Sequence, residues 1–161
     1  MNVPLIHIDL KTHDLLLKQS GEVIFESKIA SASKGVGEIY GSEKTPRGWH
    51  VIRAKIGAGV AENTVFKGRR ATGEMYSESL RAQFPERDWI LTRIMWLSGL
   101  EPGFNRLGSV DTMRRYIYIH GCPDVDQMAE CNSHGCIKMH NADVIDLFNQ
   151  VDVGTKVLIT E

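Results

Sequence analysis

Alternating apolar and polar residues in the first third of the chain predict β-strands. Residues 5–10 (LIHIDL) place Ile6, Ile8 and Leu10 on one side of an extended chain, which is typical of a half-buried strand. Residues 15–18 and 23–29 flank the turn sequence Gln-Ser-Gly and predict a hairpin. A glycine-rich loop with the turn sequence Thr-Pro-Arg-Gly then leads to a further strand, predicted for residues 49–56.

Two helices are predicted further along the chain. Residues 77–84 predict a short helix capped by Ser77 or Ser79, and residues 141–151 carry an apolar stripe at helical spacing with Asn141 as the N-cap. Residues 88–99 are so apolar that they fit either a strand or a buried helix. Without a visible linker or repeat, residues 1–161 are predicted to form one mostly β domain with a few short helices.

Composition and charge narrow the possible partners. The chain has 161 residues, 42% of them hydrophobic, and a formal net charge of −1, whereas nucleic-acid binders usually show a basic excess. No stretch approaches the roughly 20 apolar residues of a membrane span. The N-terminal sequence MNVPLIHID has neither the basic region nor the apolar run of a signal peptide. These features predict a cytoplasmic protein that binds neither nucleic acid nor membrane.

The candidate chemistry is concentrated in residues 118–141, which hold all three cysteines and three of the six histidines. The members are Cys122, Cys131, Cys136, His120, His134 and His140. A zinc site is disfavoured because the spacing contains no C-x₂-C knuckle. A disulfide between Cys122 and Cys131 is disfavoured because the cytoplasm is reducing, so we expect these two thiols to be free and unreactive.

A catalytic pair of cysteine and histidine is the remaining interpretation. A free thiol has a pKa near ~8.5 and needs a base to become an effective nucleophile. His120 is favoured as the base of Cys136, because His134 lies only two residues away and is poorly placed for proton transfer. In the strand 116–120, His120 is expected at the end, on the more accessible face. Gly135 permits a sharp turn whose N–H groups could face an oxyanion.

Two motifs resemble a known family. The sequence IHG at 119–121 stands twelve residues before Ser133, and SHGCIKMHNADVIDL at 133–147 follows. Together they resemble the signature of the L,D-transpeptidase (YkuD-like) catalytic domain. The opening hairpin, the sequence TPRGWHVI and the closing strand are also similar to that family, whereas residues 58–112 match less well. The resemblance implies a β-sandwich-like fold and cysteine acyl transfer on peptidoglycan stem peptides.

The resemblance also implies roles for individual residues. Cys136 would attack the carbonyl of the third stem residue, usually meso-diaminopimelate, and D-alanine would leave, while His120 would take the thiol proton. Lys138 stands where the family more often has arginine, and a lysine cannot form the bidentate clamp of an arginine. Supporting or oxyanion roles fall to Gly121, Ser133, His134 and Gly135. The candidates for substrate binding are Tyr118, Lys138 and Arg106.

A cytoplasmic member of this family would meet soluble muropeptides, with water as the abundant acceptor. We therefore expect an L,D-carboxypeptidase of murein recycling that trims tetrapeptides and needs no cofactor or metal. The alternatives are an L,D-transpeptidase that forms 3-3 crosslinks or exchanges D-amino acids, and a non-enzymatic zinc- or peptidoglycan-binding domain. The resemblance further implies that carbapenem-type β-lactams acylate Cys136.

Overall fold

The computed structural model describes residues 3–161, which form twelve strands, two α-helices and a 3₁₀ turn at Gly108–Val110. The helices are α1 (Glu78–Gln83) and α2 (Asn141–Gln150). The strands are β1 (Leu5–Asp9), β2 (Asp14–Gln19), β3 (Glu22–Lys28), β4 (Ala30–Ala32), β5 (Gly48–Ile56), β6 (Thr64–Lys67), β7 (Arg70–Met75), β8 (Ile90–Gly99), β9 (Tyr118–Cys122), β10 (Glu130–Ser133), β11 (Ile137–His140) and β12 (Lys156–Thr160).

All twelve strands join one mixed sheet, which confirms the mostly β prediction. The main order is β10-β4-β11-β9-β8-β5-β12-β1-β2-β3, and β6 pairs with β8 and β7. The pairs β1–β12, β9–β11 and β4–β10 are parallel, whereas the other neighbours are antiparallel. The ambiguous segment 88–99 forms the long central strand β8, because it pairs with both β5 and β9.

The main hydrophobic core draws on distant parts of the sheet. Ile6 of β1 and Leu17 of β2 belong to the same buried cluster as Ile119 of β9, Ile137 of β11 and Leu147 of α2. Strands from both ends of the sheet and α2 therefore bury their apolar side chains in one common core. Burial of each such side chain contributes roughly 2 kcal/mol. Across residues 3–161, neither helix has the length and apolar character needed to cross a membrane.

The ends of the helices agree only partly with the sequence-based expectation. Ser77 caps α1, because its hydroxyl accepts the N–H of Leu80. The N-cap of α2 is His140, not Asn141, and it makes no side-chain capping bond. The Asn141 side chain turns inward instead, where it is fully buried and bonds to other polar side chains. Tertiary contacts explain this difference. The amide of Asn141 bonds to buried side chains from distant parts of the chain instead of capping the N–H groups at the start of the helix.

Candidate active site

Strands β9 and β11 bring the cysteine and histidine motifs together. The two strands run parallel, with Ile119 opposite Ile137 and His120 opposite Lys138. Successive side chains of a strand point to opposite faces, and the two isoleucines lie in the main core. The chemistry-bearing side chains therefore share the other face. They are Tyr118, His120, Cys136 and Lys138.

The Cys136 thiol is held by backbone groups at the start of β9 and just before it. Its Sγ accepts the N–H of Tyr118 at 3.3 Å and donates to the carbonyl oxygen of Tyr116 at 3.5 Å. Burial raises the pKa of the Cys136 thiol to about 12, and the Tyr118 N–H opposes that shift because it stabilises a thiolate. The resting thiol is therefore protonated at neutral pH, and attack requires a base.

His120 supplies a base in a suitable protonation state. Its Nδ1 lies 2.7 Å from the carbonyl oxygen of Gly121, which can only accept, so Nδ1 donates and Nε2 is free to take a proton. Burial lowers the pKa of His120, whereas the carboxylate of Asp88 raises it, and burial dominates. The expected position on an accessible strand end is wrong, because β9 continues to Cys122 and leaves His120 1% exposed.

The turn before Cys136 is built from Ser133 and Gly135. The Ser133 hydroxyl donates to the carbonyl oxygen of Cys136 at 2.6 Å and accepts the Gly135 N–H at 3.3 Å. Gly135 has φ +129°, a backbone conformation that residues with a side chain rarely adopt. A Cβ there would also lie only 3.0 Å from Ile117 Cδ1, so both backbone conformation and space favour glycine. The Gly135 N–H is thus already bonded, and the Cys136 N–H remains as the candidate oxyanion donor of this turn.

Thr45 of the Thr-Pro-Arg-Gly sequence reaches the same turn. Its hydroxyl donates to the carbonyl oxygen of Gly135 at 3.0 Å and accepts the N–H of Ala32 at 3.0 Å. Sequence reasoning recognised this stretch as a turn but missed its contact with the active-site loop, which lies 90 residues away in sequence. Thr45 is fully buried, so the contact is shielded from water.

A buried polar network supports the backbone of β9. A Cβ on Gly121 would lie 2.6 Å from the Leu91 carbonyl oxygen and 2.7 Å from Asn141 Oδ1, so only glycine fits. Thr92, at a bulge in β8, has φ +74° and donates to Asn141 Oδ1 at 2.5 Å. A β-branched residue at positive φ stores strain, and such strain persists only where the surroundings enforce it. The network therefore fixes the backbone that carries His120.

Two clefts flank His134, whose side chain is 65% exposed. The first, of about 220 Å³, includes Arg115, Tyr116 and Ile117 in its wall. The second, of about 240 Å³, includes Asp88 and Lys138. His134 belongs to the walls of both clefts. Its Nδ1 lies 4.0 Å from Asp88 Oδ2. Within residues 3–161, no hydrogen bond joins it to Cys136. A cavity of about 630 Å³ near Trp49 includes none of the candidate residues.

Arg115 lies close to the nucleophile and contacts a neighbouring loop. Its guanidinium donates to the carbonyl oxygens of Gly37 at 3.2 Å and Lys44 at 2.5 Å, and to the hydroxyl of Ser42 at 3.3 Å. Its charge also favours the thiolate of Cys136. Arg115 therefore holds the loop of residues 37–44 beside the nucleophile through three hydrogen bonds.

The three predicted substrate-binding residues occupy different environments. The Tyr118 ring is 5% exposed and its hydroxyl accepts from Arg69 at 3.0 Å. Lys138 is 8% exposed, and its Nζ donates to Asp126 at 3.2 Å and to Asn132 at 3.1 Å. The side chains of Tyr118 and Lys138 are thus largely occupied.

Arg106 lies outside the candidate site. It is exposed on the loop after β8, where its carbonyl oxygen accepts the Gly103 N–H. No hydrogen bond or ion pair links its side chain to the active-site face anywhere in residues 3–161. The prediction of a substrate contact at Arg106 is therefore not supported by its position.

The remaining thiols are free. Cys122 is buried, donates to the Met139 carbonyl oxygen at 3.2 Å, and has its pKa raised to about 12 by burial. Cys131 is exposed. Across the part of the chain that the structure describes, no three or more His, Cys, Asp or Glu side chains are grouped to hold a metal ion.

The chain is similar in sequence to proteins of one known family. The sequence profile of the YkuD family, the L,D-transpeptidase catalytic domain, matches residues 4–159. A Bacillus subtilis protein, provisionally named L,D-transpeptidase YqjB, is 28% identical over 159 residues, which are 98% of this chain and 72% of that protein.

Two solved structures show the same fold. The Enterococcus faecium L,D-transpeptidase C442S mutant has a TM-score of 0.58 at 19% identity, over 99% of this chain and 50% of that one. Mycobacterium tuberculosis L,D-transpeptidase 3, solved with a faropenem-derived adduct, has a TM-score of 0.60 at 14% identity, over 99% of this chain and 61% of that one. The chain thus spans only 50% to 61% of these two solved proteins. The family match over nearly the whole chain, together with this fold, shows that the chain belongs to the L,D-transpeptidase catalytic domain family.

Proposed function

We propose that this protein is a cysteine L,D-carboxypeptidase that removes the terminal D-alanine from peptidoglycan stem tetrapeptides. The observation that carries the proposal is the shared face of β9 and β11. It carries the Cys136 thiol and, on the same face, the His120 imidazole, whose Nδ1 is fixed by the Gly121 carbonyl oxygen at 2.7 Å. The family membership supplies the substrate class, and the preference for water as the acceptor follows from the expected cytoplasmic location.

The reaction proceeds through an acyl-enzyme. The Sγ of Cys136 attacks the carbonyl carbon of the third residue while His120 Nε2 takes the thiol proton. The tetrahedral intermediate collapses, its C–N bond breaks, and the imidazolium returns the proton to the amine of the departing D-alanine. Water then gives a proton to His120 as its oxygen attacks the thioester carbonyl carbon. The C–S bond breaks, the tripeptide leaves, and the imidazolium returns the proton to the sulfur of Cys136.

The raised pKa of Cys136 shapes the first step. A thiol that is protonated at rest does not react indiscriminately, because the thiolate is the nucleophile. Proton transfer to His120 is therefore coupled to attack on a bound carbonyl. Since burial lowers the pKa of His120 below its ordinary 6.5, the base is already neutral and available at neutral pH.

Aminolysis by a second stem peptide is the alternative fate of the acyl-enzyme. One observation favours it. The wall of the second cleft includes Lys138, which shares a strand face with the nucleophile, and Asp88, whose side chain is half exposed and lies 4.0 Å from His134. A carboxylate in that position suits an incoming amine. Transpeptidation would then yield 3-3 crosslinks or exchanged D-amino acids.

The experiment that separates these products is mass spectrometry of a purified disaccharide-tetrapeptide incubated with the wild type and with Cys136→Ala. The proposal predicts loss of one D-alanine, dependent on Cys136, without dimers. Dimers or incorporation of an added D-amino acid would instead establish transpeptidation. A product that persists in Cys136→Ala would exclude both cysteine mechanisms.

A role in cytoplasmic murein recycling is the cellular part of the proposal. It requires the protein to meet soluble muropeptides inside the cell. Fractionation with an antibody against the protein, alongside cytoplasmic and exported marker proteins, tests it. Recovery with the exported markers would contradict the recycling role, whatever the reaction.

Covalent capture by carbapenem-type β-lactams follows from the same chemistry. Opening of the lactam ring by Cys136 would leave a stable thioester, so intact-protein mass spectrometry should show a single added carbapenem mass. Cys136→Ala should show none. Modification that is retained in Cys136→Ala would place the reaction on another residue.

A further inference from the structure

Arg69 is the second residue of the two-residue hairpin turn Gly68-Arg69, beside the active-site face. It lies between β6 and β7 with φ +64°, a left-handed conformation that costs a non-glycine residue about 1 kcal/mol. From this turn its half-buried guanidinium contacts three aromatic side chains, Trp96, Tyr116 and Tyr118.

The contacts orient the guanidinium without using most of its donors. Its Cζ lies 4.4 Å from the centre of the Trp96 ring and 5.0 Å from that of the Tyr116 ring, so the rings hold the cation through their π faces. Nη1 donates to the Tyr118 hydroxyl at 3.0 Å. Of five N–H donors, this is the one with an acceptor among residues 3–161, and no acidic side chain there pairs with Arg69.

The other half-buried arginines near this part of the molecule are already engaged. Arg81 pairs with Asp126 at 2.7 Å and Arg87 pairs with Glu74 at 2.6 Å. Arg115 donates to backbone carbonyl oxygens and a hydroxyl, as described above. Arg69 thus combines a fixed orientation with unused donors, which is the state of a group prepared for an anionic ligand.

The aromatic residues that hold Arg69 also hold the nucleophile. The N–H of Tyr118 contacts Cys136 Sγ at 3.3 Å, and the carbonyl oxygen of Tyr116 lies 3.5 Å from the same sulfur. Tyr116 also belongs to the wall of the first cleft. Tyr116 and Tyr118 therefore contact both the Arg69 guanidinium and the sulfur of Cys136. Arg69 lies on the side of the first cleft that Tyr116 forms.

The chemistry of the substrate provides a matching anion. In a tetrapeptide, the residue that leaves carries a free carboxylate, separated from the attacked carbonyl by a single residue. We propose that Arg69 binds this terminal carboxylate and so selects stems that end one residue beyond the cleaved bond. The inference rests on the proposed function. The planar guanidinium fork matches a carboxylate in two-point contact, whereas a lysine would offer only a point charge.

The test compares two tetrapeptides that differ only at their end, one with free D-alanine and one with D-alaninamide. Release or exchange of the terminal residue is measured for the wild type, Arg69→Gln and Arg69→Lys, so that hydrolysis and transpeptidation are both detected. A charged hydrogen bond of about 1.5–3 kcal/mol corresponds to about a 10- to 160-fold preference of the wild type for the free acid in kcat/KM. Arg69→Gln should lose that preference, chiefly through KM, and Arg69→Lys should keep part of it.

Matched variants separate recognition from structure. Arg70→Gln removes a neighbouring exposed charge of the same turn and should leave the preference unchanged. Alkylation of Cys136 by iodoacetamide, a neutral probe, should proceed at the same rate in Arg69→Gln as in the wild type. An equal loss for acid and amide in Arg69→Gln would overturn the inference in favour of a structural role.

Two further outcomes also count against it. Arg114→Gln removes an exposed cation in the wall of the first cleft. If this variant loses the preference for the free acid and Arg69→Gln keeps it, the carboxylate is not bound by Arg69. If the wild type turns over neither peptide, the proposed function itself has failed. Turnover without a preference for the free acid would leave the proposed function intact and refute only the role of Arg69.

Discussion

The two faces of strands β9 and β11 have opposite characters although they share one backbone. On one face Ile119 and Ile137 are fully buried in the main core around α2. On the other face lie the thiol of Cys136 and the imidazole of His120, together with Lys138, which belongs to the wall of the second cleft. Because successive side chains of a strand point to opposite faces, core residues and candidate catalytic residues alternate along the same five-residue stretch. Substitutions on the two faces should therefore have separable effects.

The largest separation is expected for Cys136→Ala. Loss of the nucleophile should lower turnover of the tetrapeptide by at least about 10³-fold, while the free energy of unfolding changes by about 1 kcal/mol or less, because Cys136 is only partly buried against its cluster. Turnover assays and urea unfolding of the same preparation measure both. A large loss of unfolding free energy together with the loss of turnover would contradict the separation of the two faces.

His120→Gln should give the next largest effect on activity. Removal of a general base lowers rates by about 10²- to 10⁴-fold. Glutamine keeps a side-chain donor for the Gly121 carbonyl oxygen, so the fold should tolerate it better than alanine. The control is His134→Gln, whose exposed side chain makes no hydrogen bond to Cys136 and which should retain far more activity. The reverse ranking in a kcat/KM comparison would move the base to His134.

Ile137→Ala tests the opposite face. Removal of a fully buried isoleucine side chain should cost about 2–5 kcal/mol of unfolding free energy, through lost burial and the cavity left behind. At a temperature where the variant is still folded, its kcat should stay within a few-fold of the wild type. Denaturant unfolding and an assay at 10 °C measure the two quantities. A variant that is stable yet inactive would show that this face also positions the thiol.

His50 provides a buried histidine to compare with His120. It lies on β5, and burial lowers its pKa to about 4, with its Nδ1 donating to the Gly48 carbonyl oxygen at 3.0 Å. Because the folded pKa is below the unfolded value of about 6.5, stability is fully present above pH 6.5 and falls as the pH drops towards 4. The loss should reach about 3 kcal/mol.

His50→Gln should flatten this acid dependence in unfolding curves recorded between pH 7 and 4. The remaining slope should reflect His120, whose pKa burial also lowers, and the carboxylates. An unchanged slope in His50→Gln would mean that His50 is not the group responsible.

The smallest effect is expected for Arg106→Gln. The side chain is exposed and lies outside the site, so kcat and KM should change by less than about twofold. Steady-state assays alongside Arg69→Gln give a direct ranking of the two arginines. A marked rise in KM for Arg106→Gln would restore the substrate contact that the sequence suggested.

Local patterns predicted much of this molecule. The strands of the first third, α1 with its Ser77 cap and the grouping of His120 with Cys136 all follow from periodicity, caps and motif spacing. The parts that were missed depend on contacts distant in sequence. The burial of His120 depends on β8 beside it, the inward turn of Asn141 on Thr92, and the anchoring of Gly135 on Thr45, 90 residues away. Arg69 gave no signal because an isolated arginine in a polar turn is ordinary until its aromatic neighbours are known.

The central claim is that the thiol of Cys136 carries the stem peptide as an acyl-enzyme. The most direct measurement is intact-protein mass spectrometry of acid-quenched mixtures of the enzyme with a disaccharide-tetrapeptide, followed by peptide mapping. The account predicts a wild-type adduct on Cys136 whose mass is that of the disaccharide-tripeptide less one water, and no adduct in Cys136→Ala. An adduct on Cys122 or Cys131, or D-alanine release by Cys136→Ala, would contradict it.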